Sequence, residues 1–173
     1  FKAEMLRGQR RHIRPGLAPH VRGLSDREYS REKLYETTGI QVMDFNSLFQ
    51  FYTLRKNADS ALEAADRILF MPDALSYMLT GEMVTEYTIA STSQMLNPKT
   101  RQLDDDLLHS IGLTKDNFGP ITNPGTVIGT LTEEVQKMTG LGNIPVVAVA
   151  GHDTGSAVAA VPAKNEKFAY LSN

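Results

Sequence analysis

The sequence predicts an α/β fold that is rich in helices, with strands concentrated toward the C-terminus. In the earlier part of the chain, apolar residues recur three and four positions apart, which is the period of an amphipathic helix. Residues 145–150 instead form a continuous apolar run, which is typical of a strand buried on both faces. A glycine turn, a helix of small residues at 154–161 and a further strand at 168–171 follow, so a βαβ unit is expected here.

Caps and spacing mark the first two predicted helices. Residues 31–38 are followed by Gly39, and a glycine in that place is a common helix terminator. Asn46 or Ser47 can cap the second helix, because short polar side chains accept hydrogen bonds from free backbone N–H groups. The apolar face of the second helix consists of Phe45, Leu48, Phe49 and Tyr52.

The next two predicted helices also begin at clear signals. Ser60 and Glu63 match a capping box, in which two side chains three residues apart bond to each other's backbone N–H groups. The buried stripe of that helix would be Leu62, Ala65 and Leu69. Proline near the start and glycine beyond the end, Pro72 and Gly81, delimit a further helix. Its apolar residues are Leu75, Met78 and Leu79.

The remaining predicted elements complete the order. They are an extended or capping segment at 85–88, a small-residue helix at 90–96, a helix at 104–110, a strand at 127–131, and a helix that Thr132 caps and Gly140 closes. The helix at 104–110 begins with three aspartates, and negative charge is favourable at that end of a helix. Much of the middle of the chain is therefore expected to be helical.

The composition fits a folded domain and excludes several functions. Of the 173 residues, 41% are hydrophobic and 22% are charged, and the absence of cysteine excludes thiol chemistry. No apolar stretch approaches the ~20 residues that span a bilayer, so we expect a cytoplasmic protein with no membrane partner. Residues 1–25 hold six Lys or Arg against one acid, whereas the rest hold 12 against 19. That basic stretch has no nucleic-acid fold signature, so no nucleic-acid partner is expected.

The sequence offers no motif for metal binding and none of the common nucleotide or acyl-transfer motifs. The histidines lack metal-ligand spacing and are scattered at His12, His20, His109 and His152. There is no Gly-x-Gly-x-x-Gly, no Walker lysine motif and no Gly-x-Ser-x-Gly. We therefore expect no metal site in this chain.

Asp153 lies where ligands bind in open α/β sheets, at the carboxyl end of a strand and the amino end of a helix. Two interpretations stay open. As a helix N-cap it would be structural. As a general base it would take a proton from a substrate hydroxyl, which is worth roughly 10²–10⁴-fold in rate. His152 is likewise a turn residue or a donor to substrate, and Thr154 is a first-turn residue or a substrate ligand.

One run of the chain reads Ala150-Gly-His-Asp-Thr-Gly-Ser-Ala-Val-Ala-Ala-Val-Pro162. It resembles the signature of the FGGY carbohydrate kinases, and within that family it is most similar to the rhamnulokinase group. Further blocks that resemble the same group lie at 34–41, 45–50, 68–81, 86–93 and 128–131. The resemblance extends over residues 31–172 and leaves the basic segment 1–30 unaligned.

The resemblance implies an actin-like, ribonuclease H-like ATPase fold, in which two domains flank a cleft. Residues 31–163 would be the later part of the N-terminal, sugar-binding domain. Residues 164–173 would be the first strand of the C-terminal, ATP-binding domain, and residues 1–30 stay an unassigned irregular segment. The chain would then be a fragment of a longer kinase. Its ATP site would lie mostly outside these residues, and the isolated fragment would be inactive.

The resemblance also implies a reaction. Asp153 would be the catalytic base, and His152, Asp153 and Thr154 would bind sugar hydroxyls. The reaction would transfer the ATP γ-phosphoryl group, with Mg²⁺, to the 1-hydroxyl of a small-molecule ketose, L-rhamnulose. L-fuculose or another ketose is the alternative within the family, and a non-catalytic binding module on an actin-like fold is the alternative of a different class. The oligomeric state stays open.

Overall fold

The computed structural model describes residues 29–165 and 167–171. The basic stretch at 1–25 lies outside the described residues, as does nearly all of the unassigned segment 1–30. Within the described residues the chain forms eight α-helices and six short strands, which agrees with the predicted helix-rich α/β fold. In this part of the chain, no helix is both long enough and apolar enough to cross a membrane.

The elements follow one another in this order along the chain. The helices are α1 (Arg31–Thr38), α2 (Ser47–Lys56), α3 (Ser60–Glu63), α4 (Met71–Thr80), α5 (Tyr87–Ser91), α6 (Asp105–Ser110), α7 (Glu133–Thr139) and α8 (Asp153–Ala159). The strands are β1 (Thr85–Glu86), β2 (Leu96–Asn97), β3 (Gln102–Leu103), β4 (Ile121–Thr122), β5 (Val127–Thr130) and β6 (Pro145–Val147). A turn of 3-10 helix occupies Lys115–Asn117.

The described strands form three separate pairs. β1 is parallel to β4, whereas β2 with β3 and β5 with β6 are antiparallel. In the last pair Thr130 lies opposite Pro145 and Val127 lies opposite Val147, with a register shift between Val127 and Gly129. Antiparallel pairing brings the end of β6, where the chain turns into α8, next to the start of β5.

Two expectations about the C-terminal strands are wrong. β6 is not buried on both faces, because Val147 is 45% exposed and Val149, just beyond the strand, is 69% exposed. The predicted βαβ unit does not form, since β6 pairs antiparallel with β5 and the described residues 167–171 contain no strand. A short apolar run is compatible with a buried strand, but its pattern does not specify the partner or the direction of pairing.

The apolar core is built by the helices of the earlier part of the chain. Its fully buried side chains lie mainly on α1, α2 and α6, and they include Leu34, Phe49 and Leu107. At one side of the core the Phe118 ring stacks on the Phe70 ring, with 6.1 Å between their centroids. The predicted apolar face of α2 is confirmed for Leu48 and Phe49, which are both fully buried.

A buried amide pair joins the loops around this core. Gln94 Nε2 donates to Thr38 Oγ1 at 2.7 Å, and Gln94 Oε1 accepts from Asn46 Nδ2 at 2.6 Å. Asn46 occupies the N-cap of α2 as predicted, but its side chain makes no cap bond. Its Nδ2 group also donates to the Gln41 carbonyl at 3.1 Å. Phe45, on the predicted apolar face of α2, is 56% exposed.

α3 is shorter than predicted. Asp59 is its N-cap, with a carboxylate that accepts from the Ala61 N–H at 3.0 Å, so the predicted capping box at Ser60 does not form. The helix ends at Glu63, and the later part of the predicted buried stripe lies outside it. The backbone beyond the helix finds a tertiary partner instead, since the Ile68 N–H donates to a carbonyl of the 3-10 turn.

The helix predicted at 90–96 corresponds to α5, which begins and ends several residues earlier, at Tyr87–Ser91. Ser93 follows its end, where the hydroxyl donates to the Ala90 carbonyl at 2.6 Å and accepts from the Met95 N–H at 3.1 Å. These local bonds compete with helix continuation. Gln94 then has a φ of 64°, and the chain continues as β2.

Several helix ends agree with the sequence signals. α1 ends at Gly39 with a φ of 70°, and α4 ends at Gly81 with a φ of 79°, both in the left-handed region that favours glycine. Thr132 caps α7 as predicted, because its hydroxyl accepts from the Val135 N–H at 3.3 Å.

Candidate functional site

The three predicted site residues lie where the turn after β6 becomes α8. His152 is the residue before the helix, and Asp153 is its first residue. The Asp153 side chain is 95% exposed and the His152 side chain is 37% exposed. The structure therefore brings His152, Asp153 and Thr154 together at one solvent-facing position.

The Asp153 carboxylate contacts its neighbours in the chain. Its Oδ1 accepts from the Thr154 N–H at 2.6 Å and lies 3.4 Å from both Thr154 Oγ1 and His152 Nε2. The N-cap of α8 is His152, whose side chain makes no cap bond, so the interpretation of Asp153 as the N-cap is wrong. Among the described residues no donor contacts Asp153 Oδ2. One carboxylate oxygen is thus available to a ligand.

The backbone before Asp153 is held by a part of the chain that is far away in sequence. The Gly151 N–H donates to Glu86 Oε2 at 3.0 Å, and the His152 N–H donates to Thr88 Oγ1 at 3.2 Å. Glu86 is the N-cap of α5 and is only 3% exposed. The turn that presents Asp153 therefore rests on the junction between β1 and α5.

The Glu86 carboxylate has donors on both oxygens. Oε1 accepts from the Thr88 N–H at 2.8 Å, and Oε2 accepts from Thr88 Oγ1 at 2.6 Å and from the Ile89 N–H at 3.0 Å. Such bonds compensate a buried carboxylate for its lost hydration. The capping prediction for residues 85–88 is confirmed, but sequence reasoning missed the contact with Gly151. A bond between residues 65 positions apart leaves no local pattern.

Asp73, on α4, lies next to the same junction. It is 2% exposed, and its Oδ1 accepts from the Glu86 N–H at 3.1 Å. Its Oδ2 is buried without a hydrogen-bond partner among the described residues. Burial raises the pKa of Asp73 to about 6; the bond from the Glu86 N–H opposes this shift, and the charge of the Glu86 carboxylate adds to it.

Gly151 allows the turn to approach α4 and Glu86 closely. A Cβ atom at this position would lie 3.0 Å from Pro72 Cβ and 3.1 Å from Glu86 Oε2, which is tighter than ordinary contacts. Gly151 does not have a positive φ. The position therefore requires glycine for lack of space and not for backbone conformation.

An apolar groove of about 210 Å³ adjoins the turn. Asp73, Glu86 and Gly151 line it together with side chains of α4, β5 and the end of β6. Its apolar lining residues include Leu75, Leu79, Ile128, Val147 and Val149. Because Leu75 is 57% exposed, α4 presents apolar surface to this groove as well as to the interior.

The chemistry available at the turn is limited to three side chains. A carboxylate can accept a proton, and an imidazole and a hydroxyl beside it can exchange hydrogen bonds with the hydroxyls of a ligand. In the part of the chain that the structure describes, no group of three or more His, Cys, Asp or Glu side chains could hold a metal ion. The site is thus suited to proton transfer with a hydroxyl compound.

The model of the FGGY family of carbohydrate kinases, N-terminal domain, matches residues 18–160. The chain belongs to this family. The matched range contains Glu86, Thr88 and all three predicted site residues. The match begins at residue 18, within the segment 1–30 that the resemblance left unaligned. The similarity to the family therefore starts before residue 31.

Two curated relatives of this FGGY chain are rhamnulokinases. The one from Bacteroides thetaiotaomicron is 66% identical over 158 residues, which cover 90% of this chain and 33% of that protein. The one from Lactiplantibacillus plantarum is 42% identical over 143 residues, which cover 83% of this chain and 29% of that protein. The chain spans about a third of the length of these relatives.

Solved structures of other sugar kinases show the same fold. A ligand-bound xylulose kinase from Lactobacillus acidophilus matches with a TM-score of 0.71 at 22% identity, over 78% of this chain and 27% of that one. A gluconate kinase from the same organism matches with a TM-score of 0.72 at 22% identity, over the same shares. These likenesses confirm the predicted actin-like, ribonuclease H-like α/β fold.

Proposed function

We propose that this FGGY chain is part of an ATP-dependent sugar kinase that phosphorylates the 1-hydroxyl of L-rhamnulose, with Asp153 as the general base. Family membership and the rhamnulokinase names of the relatives support the reaction and its substrate. The observation that carries the assignment of the base is the exposed Asp153 carboxylate on a turn held by partly buried hydrogen bonds. Residues 31–163 would belong to the sugar-binding domain and residues 164–173 to the start of the ATP-binding domain.

The acceptor hydroxyl is the group on which Asp153 would act. Its oxygen forms a bond to the γ-phosphorus while the bond from that phosphorus to ADP breaks, and its proton passes to Asp153. A general base works at a heavy-atom distance of ~2.6–3.2 Å, which the uncontacted Asp153 Oδ2 can reach. Phosphoryl transfer has a loose transition state, so the protein contributes mainly by positioning and by stabilising charge.

His152 and Thr154 would bind the remaining sugar hydroxyls. His152 Nε2 and Thr154 Oγ1 both lie 3.4 Å from Asp153 Oδ1, so all three side chains can reach one ligand. Hydrogen bonds from two sides would orient the sugar so that only one hydroxyl meets the carboxylate. Such orientation is a large part of what a bimolecular reaction needs.

ATP and Mg²⁺ are the co-substrate and cation that the family implies. The described residues contain no group of three or more acidic or histidine side chains suited to a cation. These residues therefore do not fit a cation site of that kind.

The role of Asp153 is tested by Asp153→Asn in a full-length protein that carries this chain. The amide cannot take up the proton, and we expect kcat with ATP and L-rhamnulose to fall by at least ~10²-fold while the protein stays folded. The matched control is Asp106→Asn, which makes the same change at another exposed aspartate in the first turn of a helix, α6. Near-normal kcat in the Asp153 variant would contradict the assignment.

The substrate is tested separately with a panel of ketoses. We expect the largest kcat/KM for L-rhamnulose, with L-fuculose as the nearest competitor. Phosphorylation of L-fuculose without L-rhamnulose would overturn the substrate but keep the kinase. Binding of ketoses without any turnover of ATP in the full-length protein would favour the non-catalytic binding module.

A further inference from the structure

We propose that Glu86 and Thr88 are positioning residues, which fix the direction of the Asp153 carboxylate by binding the two backbone N–H groups before it. This proposal rests on the proposed function, since it concerns the same carboxylate. Neither residue is adjacent to the three predicted site residues in sequence, and both act from the start of α5.

The hydrogen bonds of the turn before Asp153 support this role. The N–H groups of Gly151 and His152 are consecutive, and they donate to Glu86 Oε2 at 3.0 Å and to Thr88 Oγ1 at 3.2 Å. These two peptide groups directly precede Asp153. Because both are fixed, the backbone direction at Asp153 is fixed too, although its own side chain is fully in solvent.

A helix cap alone does not account for Glu86. As the N-cap of α5 it accepts from the N–H groups of Thr88 and Ile89. Short polar side chains do this well at exposed helix starts. Here the longer Glu86 residue is buried, with 3% exposure, and its Oε2 also accepts a hydrogen bond from the Gly151 N–H. The extra reach of the glutamate side chain is used for the contact with Gly151.

Residues on both sides of the contact between Glu86 and Gly151 make room for it or hold it in place. On the turn side, Gly151 has no side chain, and a Cβ atom there would come within 3.1 Å of Glu86 Oε2. On the other side, the Glu86 N–H donates to Asp73 Oδ1 at 3.1 Å, which ties the backbone of Glu86 to α4. The Thr88 hydroxyl completes the arrangement, because it donates to Glu86 Oε2 at 2.6 Å and accepts from His152.

The consequence for the reaction is geometric. A misplacement of about 1 Å at a reacting group can reduce the rate by ~10²-fold. A turn without these bonds would still carry the Asp153 carboxylate but would spread it over several directions. Loss of either residue should therefore lower kcat while the groups that touch the ketose stay present.

The test uses Thr88 in the full-length protein, because valine has nearly the shape of threonine without the hydroxyl. We expect Thr88→Val to lower kcat by about 10-fold or more. Thr88→Ser keeps the hydroxyl and should restore kcat to within about threefold of the parent. Thr53→Val is the matched control, since the Thr53 hydroxyl donates to the Phe49 carbonyl of its own helix, α2, and to no other described residue. It should leave kcat unchanged.

A double variant separates positioning from a general loss of structure. If Thr88 acts through Asp153, Thr88→Val should have little further effect on the residual rate of Asp153→Asn. An equal loss in both backgrounds, or no loss with Thr88→Val alone, would overturn the positioning role and leave the proposed function intact. A normal rate for Asp153→Asn alone would overturn both proposals. Glu86→Gln gives a second route, since it should reproduce the loss of kcat seen with Thr88→Val.

Discussion

The earlier and the later region of the described chain are stabilised by different kinds of interaction. Residues 29–118 contain the continuous cluster of buried apolar side chains. Among the described residues from 119 onward, only Leu131 and Ala148 are buried apolar residues. The later region carries Asp153, and hydrogen bonds to Glu86 and Thr88 join it to the earlier one. Most of the buried apolar surface therefore lies apart from the hydrogen bonds that hold the turn.

The largest expected effect is the loss of a core side chain. Phe49 is fully buried, so Phe49→Ala should reduce the free energy of unfolding by about 3–5 kcal/mol, through lost burial and the cavity that remains. Val149→Ala truncates a side chain in the later region that is 69% exposed, and it should change stability by less than about 0.5 kcal/mol. Denaturant unfolding of the chain measures both. Similar losses for the two variants would contradict the contrast between the regions.

A smaller effect is expected where the later region meets α4. Gly151→Ala introduces a Cβ atom 3.0 Å from Pro72 Cβ, and we expect a loss of about 1–3 kcal/mol from overpacking. Gly142→Ala is the matched control, because a Cβ atom there meets nothing within 4 Å and its φ is not positive. If both variants unfold at the same denaturant concentration, the close approach at Gly151 is not a constraint on the fold.

The smallest effect concerns the pH dependence of stability. The pKa of Asp73 is raised from 3.8 to about 6 in the folded chain, so the folded state binds more protons than the unfolded state between these values. Its contribution to stability is full below about pH 4 and is lost as the pH rises through about 6.

Asp73→Asn should remove this loss. A shift of about two pKa units sets a ceiling of about 3 kcal/mol. Asparagine can still accept from the Glu86 N–H but loses the charge that strengthens that bond, so we expect a net gain of about 1 kcal/mol at pH 8. The gain should vanish near pH 4, and unfolding curves at several pH values measure it. A constant difference between the variant and the parent would show that Asp73 does not titrate differently on folding.

The sequence predicts well what depends on a few neighbouring residues. Gly39 and Gly81 end helices where a left-handed φ is needed, and Thr132 caps α7. The three site residues are found together for the same reason, since Gly-His-Asp-Thr is one local run. Even local signals compete, however. The Ser60 capping box fails because the Asp59 side chain satisfies the helix start one residue earlier.

Prediction from the sequence fails where two contacting residues lie far apart along the chain. The apolar run of β6 predicts an inner strand of a βαβ unit. The run does not indicate that β6 pairs antiparallel with β5. The contact between Glu86 and Gly151 joins two motifs that lie 65 residues apart. The sequence of neither motif indicates that the other is its partner. These long-range contacts decide how the turn is supported, so the sequence predicts that His152, Asp153 and Thr154 are neighbours but not what holds their turn.

The most direct test of this support is amide hydrogen exchange at Gly151 and His152, measured by NMR on the parent chain and on Thr88→Val. We expect both amides to be protected in the parent chain, although they precede an exposed aspartate. In Thr88→Val the His152 amide should lose its protection, whereas in Thr53→Val it should keep it. Rapid exchange of both amides in the parent chain, or unchanged protection of His152 in Thr88→Val, would contradict the claim that Glu86 and Thr88 hold the turn.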